Sequence, residues 1–385
     1  MKTRSQMKNV LHLTHTDIES DSRILKEMGA LSDAGYAVSG IGVVLDEGAQ
    51  KSTVSFSADI TAINLHSRRL TFLPRTLRHI ATLFELVAKM LPRAVRARPN
   101  VIHCHDTFVL PLGCIVKLLT GAKLVYDAHE LESNRNGLTR LQGVLTLRVE
   151  KLLWRFVDAL IVVSPSIERW YHETIGSKLS AVILNSPLFY EGRQQDKNYL
   201  RKNFGIPTES KVFIYVGILG NGRGIDLLTE VFKDPQISSH IVFLGYGELS
   251  EELKILAALH PNMHVHEAVP HSQVVPIVQS GDFGLCLVQD VSLSDYYCLP
   301  NKLFEYCFAG LPVLASDFPD IRSLLAEYGI GECCRLQVND IRDAILRLER
   351  SETIFRFASL KPLSWKAQEG KLVALYQQCL PTSDH

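Results

Sequence analysis

Short apolar runs alternate with amphipathic helical segments along most of this chain. Val10–Leu13 predicts a buried strand, the apolar spacing over Ser22–Ala34 predicts a helix, and Val38–Leu45 predicts a second strand. A strand, a helix and a strand in this length form a right-handed crossover, which implies a parallel sheet covered on both faces. The alternation begins again at Lys211–Val216. Because 385 residues can bury two cores, we predict an α/β protein with two doubly wound parallel-sheet domains.

The composition excludes several classes of protein. A hydrophobic content of 46% and a charged content of 21% exclude a mainly disordered chain. Lys+Arg and Asp+Glu both number 41, so we do not expect wholesale electrostatic binding to nucleic acid. The 8 cysteines lack zinc-type spacing, and most have apolar neighbours, where a reduced thiol is the rule. With no apolar leader and no membrane-length run in the sequence, these features predict a cytoplasmic protein.

The start of one predicted helix has the chemistry of an anion site. The apolar run Phe283–Val288 precedes a polar loop closed by Pro300, and a helical pattern follows. Pro300 suits a first helical turn, whose free N–H groups and dipole attract an anion. Asn301 and Lys302 lie at this end, and Glu305 adds a carboxylate about one turn further on. A phosphate beside a hydroxyl-bearing ring would suit this arrangement; the alternative is a capped surface helix with an intrahelical Lys–Glu pair.

A glycine-rich loop follows the first strand of the second half. Gly217, Gly220, Gly222 and Gly224 stand close together, with Arg223 among them. Glycines between a strand and a helix let backbone N–H groups approach a phosphate, and an arginine can pair with it. The spacing matches neither the dinucleotide-binding fingerprint nor the P-loop. The alternative is a flexible surface loop.

Polar side chains follow two predicted strands of the first half at the points where these strands end. His105 and Asp106 follow one strand, and Asp127, His129 and Glu130 follow the other. Ligands of open α/β sheets gather beyond the carboxyl ends of the strands, so both groups are candidates for one cleft. Polar residues at strand ends are also common for purely structural reasons, and the pattern alone leaves both interpretations open.

The stretch from His66 to Arg98 is basic and amphipathic. It holds eight Lys/Arg residues against a single acid, Glu85, and large apolar residues are interleaved with them. Such a stretch suits the surface of an anionic bilayer. The alternative is an ordinary pair of core-facing helices with a solvated basic face.

The segment Pro300–Tyr306, which reads PNKLFEY, closely resembles the nucleotide-sugar segment of the retaining glycosyltransferases of family four, as does the following Ala309–Val313, AGLPV. That family has the GT-B fold, so the resemblance implies two Rossmann-like domains facing each other across a cleft, with the donor in the C-terminal one. In the family, the glutamate at the position of Glu305 binds the donor ribose. Many members carry a further glutamate eight positions earlier, where this chain has Tyr297, so the chain resembles a PNKLFEY-type subgroup.

The resemblance covers nearly the whole chain and assigns further roles. Arg223 and Gly224 match the element that contacts the donor diphosphate, and the region of Gly245 matches the base pocket; the position of a second arginine is taken by Ile218. His129, in the segment YDAHEL, matches a histidine close to the transferred sugar. The expected donor-binding residues are Gly217, Arg223, Gly224, Gly245, Pro300, Asn301, Lys302 and Glu305. The expected catalytic residues are His129, Lys302 and Glu305, and the expected acceptor side comprises His15, Asp17, His105, Asp106, Asp127 and Glu130.

These features together predict a retaining hexosyl- or related glycosyltransferase. The sugar would pass from a nucleotide-diphosphate donor to a glycan or polyprenyl-linked glycan, in cell-surface polysaccharide synthesis. We expect no cofactor besides the donor and no metal, because the chain has no Asp-x-Asp motif and the cations Arg223 and Lys302 can stabilise the leaving diphosphate. One alternative is a sugar-nucleotide epimerase of the same fold, which would leave the basic stretch unexplained. The other is an inactive donor-binding module, which Tyr297 favours.

The expected domains are residues 1–190 on the acceptor side, residues 191–363 around the nucleotide sugar, and residues 364–385 as a helix that returns to the first domain. We further expect a protein that associates peripherally with the inner face of the cell membrane through Arg68–Arg98.

Overall fold

The computed structural model describes residues 7–44, 59–187, 196–350 and 359–380. The chain divides into two compact units, Met1–Ile183 with Gln368–His385, and Leu184–Ala367. The expected boundary between residues 190 and 191 lies outside the described residues.

The first unit is built on a seven-stranded parallel sheet. Its strands are β1 (Asn9–Leu13), β2 (Ala37–Val43), β3 (Asp59–Ile63), β4 (Val101–His105), β5 (Lys123–Ala128), β6 (Ala159–Val162) and β7 (Leu179–Val182). They are ordered β3-β2-β1-β4-β5-β6-β7, and every pair is parallel. The strands β4 and β6 are buried along their whole length, as expected for central strands of a doubly wound sheet.

Helices connect these strands. They are α1 (Ser22–Asp33), α2 (Arg75–Arg96), α3 (Leu110–Thr120), α4 (Arg140–Leu153) and α5 (Pro165–Thr174). Local chemistry sets several of their ends. The side chain of Asp21 accepts from the backbone N–H groups of Arg23 and Ile24 and so caps α1, whereas α3 ends at Gly121 in the left-handed conformation.

The second unit repeats the same design around a six-stranded parallel sheet. Its strands are β8 (Val212–Ile218), β9 (His240–Tyr246), β10 (Met263–His266), β11 (Phe283–Cys286), β12 (Val313–Ser316) and β13 (Gly331–Cys334). Their order is β10-β9-β8-β11-β12-β13. Its helices are α6 (Tyr199–Phe204), α7 (Ile225–Phe232), α8 (Ser250–Leu259), α9 (His271–Val278), α10 (Leu293–Tyr296), α11 (Asn301–Ala309), α12 (Pro319–Tyr328) and α13 (Val338–Arg350). The last helix, α14 (Trp365–Cys379), belongs to the first unit from Gln368 onward.

The strand order places the candidate residues. In each sheet the order reverses beside the unit's first strand, between β1 and β4 and between β8 and β11. Ligands of doubly wound folds bind at this point, outside the carboxyl ends of the strands. Asp106 follows β4 and Gly217 lies near the end of β8, so both lie at such reversal points. The predicted fold class of two doubly wound parallel-sheet domains is therefore confirmed.

Two further expectations concern the chain as a whole. Within the described ranges, no helix is both long enough and apolar enough to span a bilayer. The cysteines are free thiols, and most of them are buried.

Candidate functional site

In the second unit, α11 begins with an uncapped N-terminus. Its first residue is Asn301, and Pro300 is the N-cap residue, one position earlier than the first-turn position that the sequence predicts. The side chain of Pro300 makes no capping hydrogen bond, so this residue does not satisfy the first backbone N–H groups of the helix. The residues from Lys302 to Cys307 are all buried. The alternative interpretation of this segment as a surface helix is therefore wrong.

The ammonium of Lys302 is buried and has no hydrogen-bond partner among the described residues. The residue is 9% exposed, and its Nζ lies 3.6 Å from the centre of the Tyr215 ring, on β8. Among the described residues, Nζ has no hydrogen-bond partner, so the hydrogen-bonded Lys–Glu pair of the alternative interpretation does not form. A ring face compensates only part of the cost of burying a charge. An anion that binds beside Lys302 would supply the missing partner.

Two glycines let the backbones of β8 and β9 approach each other at their carboxyl ends. Gly217 and Gly245 face each other in register, with φ of 123° and 158°. A Cβ atom at Gly245 would lie 1.9 Å from the carbonyl oxygen of Gly217. A Cβ atom at Gly217 would lie 3.9 Å from Nζ of Lys302. The lysine ammonium thus lies beside the end of β8.

Three charged candidate residues shift the pKa of one buried thiol, that of Cys286. Burial raises the pKa of Cys286 to about 11, while Lys302 and Arg223 lower it and Glu305 raises it again. These three side chains are thus within electrostatic range of the end of β11. Arg223 is half-buried, and Gly224 after it is the N-cap residue of α7, in the left-handed conformation.

The next positions along β8 and β9 expose apolar side chains. Ile218 and Tyr246 face each other in register and are 55% and 68% exposed. Tyr297, at the position where many family members have a glutamate, is half-buried at the C-terminal end of α10.

In the first unit, three histidines surround the carboxylate of Asp127. Its Oδ2 lies 3.2 Å from Nε2 of His129, 3.4 Å from Nδ1 of His105 and 3.5 Å from Nε2 of His103. His105 and Asp127 are neighbours in the register of β4 and β5. The structure therefore brings together the polar groups that the sequence places at these two strand ends.

Helix α1 adds a buried arginine and a second carboxylate. Nη2 of Arg23 lies 3.1 Å from both Oδ1 of Asp127 and Oε1 of Glu27, and all three side chains are almost fully buried. Burial raises the pKa of Glu27 to about 8, although Arg23 lowers it. Against the effect of burial, Arg23 and His129 hold the pKa of Asp127 well below its usual range. Asp127 is thus the ionised partner of Arg23, and Glu27 retains its proton up to a higher pH.

Hydrogen bonds extend from this cluster in two directions. Nε2 of His129 lies 3.0 Å from Nδ1 of His105, and Nε2 of His105 lies 2.9 Å from Nδ1 of His12. In the other direction, Nδ1 of His103 lies 2.8 Å from the hydroxyl of Tyr376, on α14. The cluster is therefore a continuous polar network inside the first unit.

His129 lies at the outer end of this network, with 19% of its side chain exposed. Burial lowers the pKa of its imidazole, but Asp106 and Asp127 outweigh that effect and raise the pKa to about 10. At neutral pH His129 is therefore an imidazolium. An imidazolium can donate hydrogen bonds from both ring nitrogens.

The other acceptor-side candidates lie around the network or apart from it. His15 is half-buried beside Phe108, and burial lowers the pKa of its imidazole although Asp106 opposes this. Asp17 accepts a hydrogen bond from the backbone N–H of Glu19, which stabilises the loop after β1. Glu130 is exposed.

Buried donor groups of this kind raise the question of a metal ion. Donor atoms of Glu27, His103, His105 and Asp127 lie within 4.8 Å of one another. However, the rings of His103 and His105 stack at 4.4 Å with an interplanar angle of 14°. An ion must lie close to the plane of each imidazole that binds it, and two nearly parallel rings at this distance cannot share one ion. Arg23 moreover already pairs with the carboxylate of Asp127. These residues do not fit a metal site as they are arranged.

The sequence alone did not single out Arg23, Glu27, His12, His103 or Tyr376. One local signal was present, because Arg23 and Glu27 are four residues apart and lie on the same side of α1 as the apolar residues that it buries. His12 of β1 and His103 of β4 stand in apolar runs, a pattern that predicts ordinary buried strand residues.

Two family comparisons cover most of the chain. Residues 22–184 match the family described as glycosyl transferase 4-like domain, and residues 196–359 match the family described as glycosyl transferases group 1.

Individual proteins give a consistent result. The chain is 26% identical over 231 residues to TuaC of Bacillus subtilis (strain 168), named as a teichuronic acid biosynthesis glycosyltransferase; the match covers 60% of this chain and 56% of TuaC. The fold is similar to that of a sucrose-phosphate synthase from Thermosynechococcus elongatus, with a TM-score of 0.73 and 17% identity over 96% of this chain and 98% of the other. It is also similar to HepE of Anabaena in complex with UDP, with a TM-score of 0.65 and 15% identity over 97% and 98% of the two chains.

Proposed function

Because this chain belongs to the glycosyl transferases group 1 family and has the GT-B fold, we propose that it transfers a sugar from a nucleoside-diphosphate donor to a hydroxyl of a glycan acceptor, with retention. The chain aligns with only 56% of the length of TuaC, so the acceptor and the pathway are part of this proposal.

One observation carries the donor assignment. The buried ammonium of Lys302 has no hydrogen-bond partner among the described residues, and it stands at the start of α11, which its N-cap residue leaves uncapped. A diphosphate supplies the anion that both features require. Arg223 is the second cation within range, as its effect on the pKa of Cys286 indicates.

The same cations would stabilise the leaving group of the reaction. As the glycosidic bond to the donor breaks, negative charge grows on the leaving diphosphate. Preorganised cations and N–H groups stabilise that charge more in the transition state than in the ground state. We propose that Lys302, Arg223 and the N-terminus of α11 fulfil this role without a metal ion, and that Glu305 binds the ribose hydroxyls.

On the acceptor side, we propose that the imidazolium of His129 contacts the reacting groups. The pKa of about 10 makes His129 a donor of hydrogen bonds, which suits a retaining transfer in which the leaving phosphate receives the acceptor proton. Asp127 and Arg23 hold the imidazole in place.

We further propose that the acceptor is a lipid-linked glycan of cell-surface polysaccharide synthesis and that the first unit contacts an anionic membrane. The name of TuaC supports the first part. Helix α2 supports the second, because Leu77, Ile80 and Phe84 on it are 52%, 48% and 71% exposed beside its basic residues.

Thermal unfolding with UDP, GDP, ADP, dTDP and CMP tests the donor proposal, on the wild type and on Glu305→Ala. A ligand present at a hundred times its Kd adds about 2.7 kcal/mol to the free energy of unfolding, which gives an easily measured shift. We expect one diphosphate to stabilise the wild type and to lose most of this effect in the variant. If no nucleotide stabilises a folded wild type, the proposed function is rejected.

A product assay then separates the two rival activities. A transferase consumes the donor in proportion to added acceptor, and NMR of the product gives its anomeric configuration. An epimerase converts the nucleotide sugar without any acceptor. A donor-binding module shows the thermal shift but no turnover.

A further inference from the structure

The parallel ladder between β8 and β11 stops before either strand ends. Its pairing runs as far as Ile214 and Gly284, although both strands continue beyond these residues. One step further in the same register, the backbone N–H of Val216 would donate to the carbonyl oxygen of Leu285. That bond is replaced by two hydrogen bonds to a side chain.

The hydroxyl of Tyr306, on α11, occupies the place of the ladder bond. Its oxygen accepts from the backbone N–H of Val216 at 2.9 Å, and its O–H donates to the carbonyl oxygen of Leu285 at 3.1 Å. Burial raises the pKa of Tyr306 well above its usual range, so the hydroxyl keeps the proton that it donates. The hydroxyl is thus inserted into one bond of the ladder, and it separates β8 from β11 at the point where the strand order reverses.

Gly284 makes room for the ring of Tyr306. A Cβ atom at this glycine would lie well inside contact distance of the ring carbons Cγ, Cδ1 and Cδ2. The ring therefore crosses β11 directly over its backbone, at the last residue that pairs with β8. Tyr306 itself is fully buried. The tyrosine and the glycine thus pack as one unit that holds the hydroxyl in the ladder.

Lys302 faces β8 from the same side of α11. It precedes Tyr306 by four residues, and residues at this spacing are neighbours on one face of a helix. The two side chains contact successive residues of β8, because Nζ of Lys302 lies over the ring of Tyr215 and the hydroxyl of Tyr306 bonds to Val216. Two contacts one helical turn apart fix both the position of α11 along β8 and its rotation.

We propose that Tyr306 is a positioning residue for the donor diphosphate: its hydroxyl holds the crevice between β8 and β11 open and sets the place of the Lys302 ammonium. This inference rests on the proposed function, which it deepens by assigning the geometry of the anion site to a residue that acts through Lys302. Without the hydroxyl, Val216 and Leu285 can form their ladder bond directly, and closing the two strands moves α11 relative to β8. The ammonium is then displaced from the place where the diphosphate binds.

Tyr306→Phe removes the hydroxyl, and the signal of one lysine reports the result without any nucleotide. The face of an aromatic ring shields protons that lie over it, so the Hε protons of Lys302 should resonate upfield of those of exposed lysines. In protein with isotope-labelled lysine, this NMR signal is the one absent from Lys302→Met. We expect Tyr306→Phe to move it towards the positions of the exposed lysines. An unchanged Lys302 signal overturns the inference.

The affinity for the nucleoside diphosphate gives the functional readout. With the nucleotide selected by the thermal shifts, the Kd from isothermal titration calorimetry should rise at least about tenfold in Tyr306→Phe, because small displacements of binding groups have effects of this size. A smaller rise overturns the proposal. Tyr199→Phe is the matched control, since it removes the hydroxyl that bonds to His266 in the same unit. It should leave the Kd and the lysine signal unchanged, and an equal loss there would show general loosening and overturn the proposal.

A second variant displaces the hydroxyl from the opposite side. Gly284→Ala places a methyl group against the ring of Tyr306, so it should change the lysine signal and the Kd in the same directions. It decides the question if Tyr306→Phe fails to fold. The two readouts also separate the inference from the proposed function. A wild type that binds no nucleotide rejects the function, whereas a Lys302 signal that stays unchanged in Tyr306→Phe rejects the inference alone.

Discussion

Arg23 on α1 and Asp127 at the end of β5 form an ion pair with an Nη2–Oδ1 distance of 3.1 Å, and their side chains are 4% and 0% exposed. The guanidinium also donates to the backbone carbonyl of Ile183, at the end of the first segment of this unit. One arginine therefore connects the first helix, strand β5 and the segment after β7.

Removing the guanidinium should destabilise the protein strongly. In Arg23→Ala the buried carboxylate of Asp127 loses its cation, and the carboxyl of Glu27 loses the same neighbour. Breaking a buried ion pair in this way costs about 3–5 kcal/mol, because the remaining charge stays buried and uncompensated. Urea unfolding measures the loss. Arg322→Ala is the control, since Arg322 pairs with Asp317 on the surface and should show no measurable change. Equal stabilities of the two variants would contradict this assignment.

The Glu27 carboxyl predicts a pH dependence of stability. Its pKa is about 8 in the folded protein and about 4.5 in the unfolded chain, so folding favours the protonated form. This contribution is fully present below about pH 4.5 and is lost as the pH rises through 8. Glu27→Gln mimics the protonated carboxyl and should gain at least about 1 kcal/mol relative to the wild type between pH 5 and pH 8. Urea unfolding at both pH values checks this, with the exposed Glu230→Gln as control. A difference between Glu27→Gln and the wild type that does not change with pH would show that Glu27 titrates normally.

Lys302→Met should separate folding from donor binding. The substitution removes a buried ammonium that has no hydrogen-bond partner among the described residues, and it keeps the volume of the side chain. The melting temperature of the free protein should stay equal or rise, while the stabilisation by nucleotide is lost. Differential scanning fluorimetry measures both, and Lys254→Met, on the exposed face of α8, is the control. A variant that keeps the nucleotide shift would place the diphosphate elsewhere.

Gly245→Ala should disturb the carboxyl ends of β8 and β9. The added methyl group would lie 1.9 Å from the carbonyl oxygen of Gly217, at a φ of 158°. We expect a loss of at least about 2 kcal/mol in chemical unfolding and weaker nucleotide binding, since the backbone must move. Gly370→Ala in α14 is the matched control. Apart from its chain neighbours and the backbone of its own helix, no atom of the described residues lies within 4 Å of its new methyl group, so it should gain about 0.5–1 kcal/mol.

The exposed apolar residues of α2 should mediate membrane binding. Co-sedimentation with phosphatidylglycerol vesicles should exceed that with phosphatidylcholine vesicles and should fall in high salt. Phe84→Asp should reduce it, because Phe84 is 71% exposed beside basic residues. Leu259→Asp, at a residue 70% exposed on α8 of the second unit, should not. Vesicle binding that is insensitive to lipid charge, or none at all, would contradict a membrane role for α2.

Much of the fold was predictable because hydrophobic periodicity is local. The expected strand at Val10–Leu13 is β1 (Asn9–Leu13), and the expected helix at Ser22–Ala34 is α1 (Ser22–Asp33). The family resemblance at Pro300–Tyr306 is confirmed by the match over residues 196–359. The environment of that helix was less predictable, since the sequence allowed a surface helix and the structure buries it.

The sequence by itself therefore determined the two parallel sheets, the glycosyltransferase family and the residues at the strand ends. Only the tertiary structure decided that Lys302 lies on Tyr215 instead of pairing with Glu305, and that Tyr376 of the last helix reaches His103 on β4. The physical reason is that strand and helix patterns depend on neighbours along the chain. The charge state and partner of a buried group depend instead on residues that are distant in sequence and are brought next to it by folding.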